Sequence, residues 1–454
     1  MNRKQSDRRR FLKKGGAALA GLAAGAAAVR SADAAVLTPT SNRSLQASID
    51  EADALTWEGT PGVAQGQRLD PLYGLRSRYE TSRRVGGMGA HHHAKDGKVS
   101  RPFLGALTPL QDVIGYVTPA GLHYFDSHGY IPPDIDPEKH RLLVHGMVDR
   151  PMIFTMEELT RLPAVTRTHF VECNADGNTN ERSNSPEATL QITHGLTSCS
   201  IWTGVLLSRV LEMVGVQKGA TWVIAESAEY TRFSKSIPIA KALDDCLLAY
   251  GQNGEAVRPE NGYPLRLLSP GYEGIYNLKH LRRLMLADTP TFAERELAYV
   301  SGVEEGKFAD KKVRWFRFEL GTNSVITRPS GGQRLASRGF CEITGLAWSG
   351  AGAIRRVEVS VDNGRTWKDA ELQGPVVPKA HTRFGLPWTW TGEETVIMSR
   401  STDERGQVQP TLAELGKVWD VSADYFKRQA GLGHVNAIRP WKVAADGSVF
   451  NAIF

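Results

Sequence analysis

Near residue 320 the hydrophobic period of the chain changes, and that change limits the folds open to it more than any other feature. Before it, strand-like runs at Arg141–His145, Thr168–Glu172, Thr221–Ile224 and Pro264–Leu268 alternate with helical ones at Met156–Arg161, Val205–Val214 and Ile239–Leu243. After it come short alternating runs at Cys341–Ala347, Ile354–Val361, Thr366–Glu371 and Glu394–Thr402, with little helical period. Asn363-Gly364 falls between two of them, a hairpin signal, because both central residues of such a turn need positive φ. The predicted class is α+β. A mixed α/β domain over 106–315 is followed by an immunoglobulin-like β-sandwich over 320–440 and a tail over 441–454.

Charge narrows the partners. The 454 residues carry a formal +6, with 55 Lys and Arg against 49 Asp and Glu. Arg3, Lys4, Arg8, Arg9, Arg10, Lys13, Lys14 and Arg30 stand against only Asp7 and Asp33 in residues 1–34, so the surplus lies wholly there. The remainder is neutral and has no basic run interleaved with aromatics, which argues against nucleic acid. RRRFLKK at 8–14 runs into an Ala/Gly-rich apolar stretch at 15–29 and then Ala32-Asp33-Ala34, the pattern of a signal peptide cleaved after Ala34. Arg8-Arg9-x-Phe11-Leu12-Lys13 also has the form of a twin-arginine signal, whose pathway exports proteins already folded, so a periplasmic protein carrying a cofactor is expected. No other stretch is apolar enough to span a membrane. Residues 35–105 read as an irregular extension, and His91-His92-His93 within it as an exposed loop, since three adjacent residues cannot all face one ion.

Cys173, Cys199, Cys246 and Cys341 form no C-x-x-C pair, and C-x-x-C-H is absent, so no c-type haem is attached. Cys173 differs from the others. It ends a Val/Phe/His run and opens the loop NADGNTN, where a thiol is presented beside amides and could bind a soft or high-valent metal; a buried structural thiol is the competing reading. Cys199, Cys246 and Cys341 sit in THGLTSCSIWTG, in a helical KALDDCLLAY and at the start of a sandwich strand. G-x-S-x-G, H-E-x-x-H, a Walker loop and a Rossmann fingerprint are missing.

The ordered segments VECNADGN (171–178), SIWTGVLLSRVL (200–211), SIPIAKALDDCLLAYGQNGEAVRPENGYPLRLLSPGYEG (236–274), EITGLAWSG (342–350) and RRVEVSVDNGRTW (355–367) resemble the sulfite oxidase family of molybdenum enzymes over roughly 105–440. Within it, PPDIDPEKHRLLVHGMVDRP, TRFGLPWTW and the lack of a haem domain resemble the catalytic subunits of periplasmic sulfane dehydrogenases. The resemblance implies a molybdenum-molybdopterin cofactor with Cys173 as the protein ligand to the metal, an α/β catalytic domain, and a sandwich that forms a homodimer. It also places Asn261, Arg266 and Lys279 against the pterin and its phosphate. Tyr124, Phe125 and His128 fall on the covering loop, and Ser227 on a further contact.

Departures from the family bear on the substrate. Sulfite oxidases of animals and plants carry arginines in the covering loop and shortly after the ligand cysteine, where this chain has Ser127 and Asp176-Gly177-Asn178. Arg383 is expected to replace part of that charge, and Tyr230 to substitute for an active-site tyrosine whose place Phe233 takes. The reading implied is oxidation of a persulfide sulfur borne on a partner protein, with electrons passing to a separate c-type cytochrome in an α2β2 assembly. Alternatives are direct sulfite:cytochrome c oxidation, methionine sulfoxide reduction, and a secreted binding module without cofactor.

Overall fold

The computed structural model describes residues 76–77, 79–86, 105–127, 132–177, 184–229, 232–291, 316–419, 421, 426 and 434–453. Met1–Thr81 and Ser82–Phe454 are separate units, and the elements below belong to the second. The leader, the extension up to residue 75, the triplet His91, His92 and His93, His128 and Tyr230 lie outside the described residues.

Strands β1 (Val85–Gly86), β2 (Gly105–Leu107) and β3 (Phe125–Asp126) form a small antiparallel sheet. β1 comes from the stretch expected to be irregular. Strands β4 (Arg141–Gly146), β5 (Met152–Thr155), β8 (Trp222–Ser227), β9 (Ser234–Pro238) and β13 (Leu281–Ala287) form a sheet of order β5-β4-β13-β8-β9, in which only β4 and β13 run parallel. The other catalytic sheet has the order β11-β10-β7-β6, from β6 (Ala164–Glu172), β7 (Thr197–Leu206), β10 (Leu247–Gln252) and β11 (Glu255–Ala256), with β12 (Arg266–Leu268) paired to β10. Short helices α1 (Met156–Arg161), α2 (Leu190–His194), α3 (Leu207–Val214) and α4 (Ile239–Asp244) connect them. α1 starts where the sequence predicts because Thr155 and Glu158 cap each other: the Glu158 amide donates to Thr155 Oγ1 at 3.1 Å and the Thr155 amide to Glu158 Oε2 at 2.8 Å. α3 starts two residues later than predicted, since Val205 and Leu206 still belong to β7 and pair with β10.

The C-terminal part is a two-sheet sandwich. One sheet has β14 (Asn323–Arg328), β15 (Gly339–Trp348), β18 (Glu371–Gln373) and β19 (Thr382–Trp390), ordered β14-β15-β19-β18. The other has β16 (Ile354–Ser360), β17 (Lys368–Asp369), β20 (Thr395–Asp403), β21 (Trp441–Val443) and β22 (Val449–Asn451), ordered β17-β16-β20-β21-β22. Asn363 and Gly364 take φ +62° and +78° between β16 and β17, the turn that the sequence calls for. The single strand expected over Thr366–Glu371 is two, β17 and β18, which pair into opposite sheets. The expected tail over 441–454 is corrected: β21 pairs with β20 and with β22, placing Trp441, Val443 and Val449 inside the core. Alternation of buried and outward side chains in these two short runs explains why they complete the sheet.

The two parts share a core. Leu110, Phe170, Leu190 and Cys199 of the catalytic part pack in one cluster with Leu320, Ile343, Trp348, Phe384 and Trp441 of the sandwich. Trp348 lies at its centre, fully buried, ring to ring with Phe170 and His381, its indole N–H donating to Glu172 Oε2 at 2.6 Å. A chain cut near 315 would uncover this core, so it cannot report on a free catalytic domain. Trp348→Ala is expected to destabilise the whole unit by about 3–5 kcal/mol, because it opens a cavity and removes the indole donor from the buried Glu172 carboxyl. Denaturant midpoints check this; a loss below about 1 kcal/mol would mean that the two parts are not energetically one body.

Candidate active site

Cys173 sits where β6 ends, its amide donating to Leu196 O at 3.0 Å and its carbonyl accepting from the Asp176 amide at 2.9 Å. The strand is rigid here because Phe170, Val171 and Glu172 are buried. Cys173 Sγ has one weak side-chain contact, Asn174 Oδ1 at 3.6 Å. Burial pushes its thiol pKa well up, with the nearby carboxylates of Asp126 and Asp176 adding to the shift, so the thiolate forms only when a cation replaces the proton. Cys199 and Cys246 are buried against His381 and Ser269, and Cys341 lies half-buried on β15; of the four, Cys173 lines the cavity beside it.

That cavity, of about 600 Å³ with its opening included, brings together residues from six segments. His123, Tyr124 and Phe125 enter from the covering loop, Asn261 from a 3-10 turn, Arg266 from β12, Lys279 from the loop before β13, and Gly274 from beneath Cys173. At Gly274 a Cβ would lie 2.8 Å from Glu172 O and 2.9 Å from Tyr124 Oη, so glycine permits this close approach under the cysteine.

The polar groups are held but not saturated. Arg266 is buried, with Nη1 donating to Asn261 O at 2.8 Å, Nη2 to Asn277 O at 3.1 Å, and its guanidinium 4.8 Å from the Trp202 ring centre. Desolvation lowers its pKa to about 10, which leaves it protonated at neutral pH. Lys279 Nζ donates to Asp126 O at 2.7 Å and Glu260 O at 3.3 Å. Arg266 Nε, Asn261 Oδ1 and His123 Nε2 are buried without a hydrogen-bond partner among the described residues. Three unpaired polar atoms around one cavity are costly in a protein interior unless a polar molecule meets them; one charged donor, Arg266 Nε, suits a phosphate, and two acceptors, Asn261 Oδ1 and the His123 Nε2 left bare by the proton on Nδ1, suit the N–H edges of a pterin. The residues therefore fit the cofactor.

Of the residues singled out in the sequence, Cys173, Tyr124, Phe125, Asn261, Arg266 and Lys279 meet at this cavity. Ser227 ends β8 behind it, its Oγ buried and unpaired, but it is not among the lining residues. Arg383 is a correction: it is not brought to the cavity, because its Nε donates to Gly115 O and its Nη2 to Val113 O, both at 2.8 Å, pinning that loop to β19. His123, Asp126, Glu229 and Glu260 line the cavity too, which sequence reasoning missed; for His123 the signal was its place beside Tyr124. Its Nδ1 approaches the Tyr124 carbonyl at 2.7 Å, and burial holds its pKa down to about 3, so the ring is neutral.

The positions where relatives carry arginines are built differently. Ser127 is buried, and the Asp176 carboxylate accepts from the Leu196 amide at 2.8 Å. Gly177 has φ +67°, and a Cβ there would lie 2.2 Å from Val435 O, so the C-terminal segment occupies the space a side chain would need.

Fold and cavity define a molybdopterin oxidoreductase. The family described as "Oxidoreductase molybdopterin binding domain" matches residues 128–294, and "Mo-co oxidoreductase dimerisation domain" matches 314–428. The crystal structure of the sulfane dehydrogenase SoxCD from Paracoccus pantotrophus superposes with a TM-score of 0.75 at 33% identity, covering 88% of this chain and 97% of that one. NADH nitrate reductases are also similar: the Ulva prolifera enzyme is 30% identical over 355 residues, 67% of this chain, and a Phaseolus vulgaris enzyme 32% over 320 residues, 64% of it. The chain spans only 39% and 35% of the lengths of those two relatives. This chain belongs to the sulfite oxidase family of molybdenum enzymes, and its cofactor is molybdenum bound to molybdopterin.

Proposed function

We propose that the protein oxidises the outer sulfur of a persulfide carried on a partner protein in the periplasm, and passes the electrons to a c-type cytochrome subunit. The observation that carries this reading is how Ser127, Asp176 and Gly177 are built, at the positions where the resemblance to sulfite oxidases leads one to expect arginines. Where relatives place arginines, Ser127 is buried, Asp176 is turned to a backbone amide, and Gly177 has no room for a side chain. Arg266 and Lys279 remain on the cavity wall, but both spend donors on backbone carbonyls, and Asp126, Glu229 and Glu260 share the same wall. A small free dianion gains little there, with charge-assisted hydrogen bonds at about 1.5–3 kcal/mol each. A protein-borne sulfur draws affinity from contacts outside the pocket and does not need them.

The bound cofactor supplies oxygen-atom transfer, with the oxygen taken from water and two electrons released per oxygen. Cys173 would hold the metal as thiolate. Arg266, Lys279, Asn261 and His123 would hold the pterin and its phosphate, and Tyr124 and Phe125 would cover it. Ser227 would add a contact from behind. His128 and Tyr230 complete the proposed site as sequence expectations. The sandwich would join two copies, one cytochrome to each. The twin-arginine leader fits export of a protein already loaded.

The assay couples the purified holoenzyme and its cytochrome to reduction of cytochrome c. The kcat/KM for a persulfidated carrier protein is expected to exceed that for sulfite by at least about tenfold, roughly 1.4 kcal/mol of transition-state binding. Equal or better efficiency with sulfite would transfer the assignment to a sulfite dehydrogenase.

A further inference from the structure

Among the described residues of the N-terminal extension, Arg84 touches two residues of the cavity wall, Phe125 and Glu260. Arg84, immediately before β1, places Nη1 2.8 Å from Glu260 Oε1 and donates from Nη2 to Ala120 O at 3.0 Å. Its guanidinium carbon lies 5.0 Å from the centre of the Phe125 ring. Phe125 and Glu260 line the cavity from opposite segments, and Ala120 opens the 3-10 turn that leads into the covering loop. Next to Arg84, Val85 pairs with Leu107 and Gly86 with Ala106, while Ala106 pairs with Phe125 across the same sheet. Val85 packs on the cluster containing Tyr124, Val171 and Trp202, behind the cavity. The pair is poorly hydrated, with Arg84 and Glu260 side chains 17% and 22% exposed, so its charges are screened less than those of a surface pair.

We propose that Arg84 is a positioning residue for the cofactor pocket: β1 anchors it on β2, the strand beside β3 of the covering loop, and its guanidinium joins the Phe125 and Glu260 walls while offsetting the Glu260 carboxylate beside a site that must accept an anionic phosphate. The inference rests on the family's cofactor occupying this cavity and is independent of the substrate. Without Arg84, an uncompensated carboxylate faces the phosphate at low dielectric, and the covering loop loses two of its ties. Cofactor retention then falls for two separable reasons.

The test uses the full holoenzyme and reads the release of pterin, by fluorescence of the oxidised pterin in the filtrate, together with retained molybdenum. R84A is expected to release cofactor about tenfold faster than the parent, and R84A/E260Q to recover part of that loss because the repelling carboxylate is gone. E260Q alone keeps the strap and leaves Arg84 as a spare cation, so release should slow severalfold. A merely structural arginine would lower the melting temperature of apo and holo forms equally; Arg84 should narrow the gap between them, since that gap reports ligand binding. Unchanged release in R84A, no recovery in the double variant, or an unchanged gap would overturn the proposal. If R84A fails to fold, E260Q decides alone: release equal to that of the parent overturns it.

Discussion

Cys173→Ser is expected to abolish turnover while leaving the fold, the molybdenum content and the pterin content largely unchanged. The thiol's side-chain hydrogen bond is the weak one to Asn174 at 3.6 Å, with the Ala175 backbone beside the sulfur, so a serine of nearly the same shape fits the same place. Under the proposed function the groups around Arg266 would hold most of the cofactor, so it is expected to stay. What changes is the donor. A thiol already pushed up by burial still ionises when a metal takes the place of its proton, whereas a serine hydroxyl ionises far less readily and is a hard, poor ligand for this metal. Cys199→Ser, Cys246→Ser and Cys341→Ser should each keep activity, since none of these thiols faces the cavity. Steady-state rates beside metal analysis check the set. A Cys173→Ser rate above about a hundredth of the parent's, a barrier change under roughly 2.7 kcal/mol, would end the ligand assignment.

Arg266→Ala should yield a folded protein that retains less than about a tenth of the parent's molybdenum and pterin, a loss of about 1.4 kcal/mol or more in cofactor affinity. Among the described residues that line the cavity, Arg266 combines full burial with an unpaired donor, Nε, for a bound anion. It also satisfies the carbonyls of Asn261 and Asn277, which the alanine variant would leave unpaired at about 1–3 kcal/mol each. The position of Asn261 depends on this, because its Nδ2 donates to Gln252 Oε1 at 3.0 Å while its backbone is tied to Arg266. Arg266→Lys keeps the charge but not the fork, and should retain an intermediate amount. Full cofactor content in Arg266→Ala would show that the cavity grips the pterin elsewhere.

The local elements were legible in the sequence wherever short-range chemistry governs them. The capping box fixed α1 at Met156–Arg161, the Asn363-Gly364 pair fixed the β16–β17 turn, and alternation located β4, β15, β16 and β20. The polar run Thr197–Ser200 gave no such signal. It lies inside its sheet and is fully buried between distant segments: Thr197 Oγ1 is 3.0 Å from His381 Nε2 of the sandwich, while Ser198 Oγ accepts from the Tyr124 amide at 2.9 Å and Ser200 Oγ from Gln252 Nε2 at 3.0 Å. Likewise β21 and β22 are three residues each, too short for a period to show, and exist because β20 offers an edge to pair with.

At the site, the sequence by itself picked out residues that the fold brings to one cavity: the cysteine at the end of a buried strand, and the Asn261, Arg266 and Lys279 set carried by a long family-like block. Only the tertiary structure decided which charges act there. An arginine's reach and five donors let it satisfy whatever carbonyls the fold brings near, so its residue type says nothing about its target. Arg383 is spent on the 113–115 loop, while Arg84, from a stretch with no pattern at all, is delivered to the cavity wall by a two-residue strand. Gly177 carries the same lesson. Its missing side chain reads as a lost arginine, yet the reason for the gap is a carbonyl at Val435, more than 250 residues along the chain and 2.2 Å from where a Cβ would stand. Contacts of that sequence separation follow from packing of the whole unit, which no local pattern encodes.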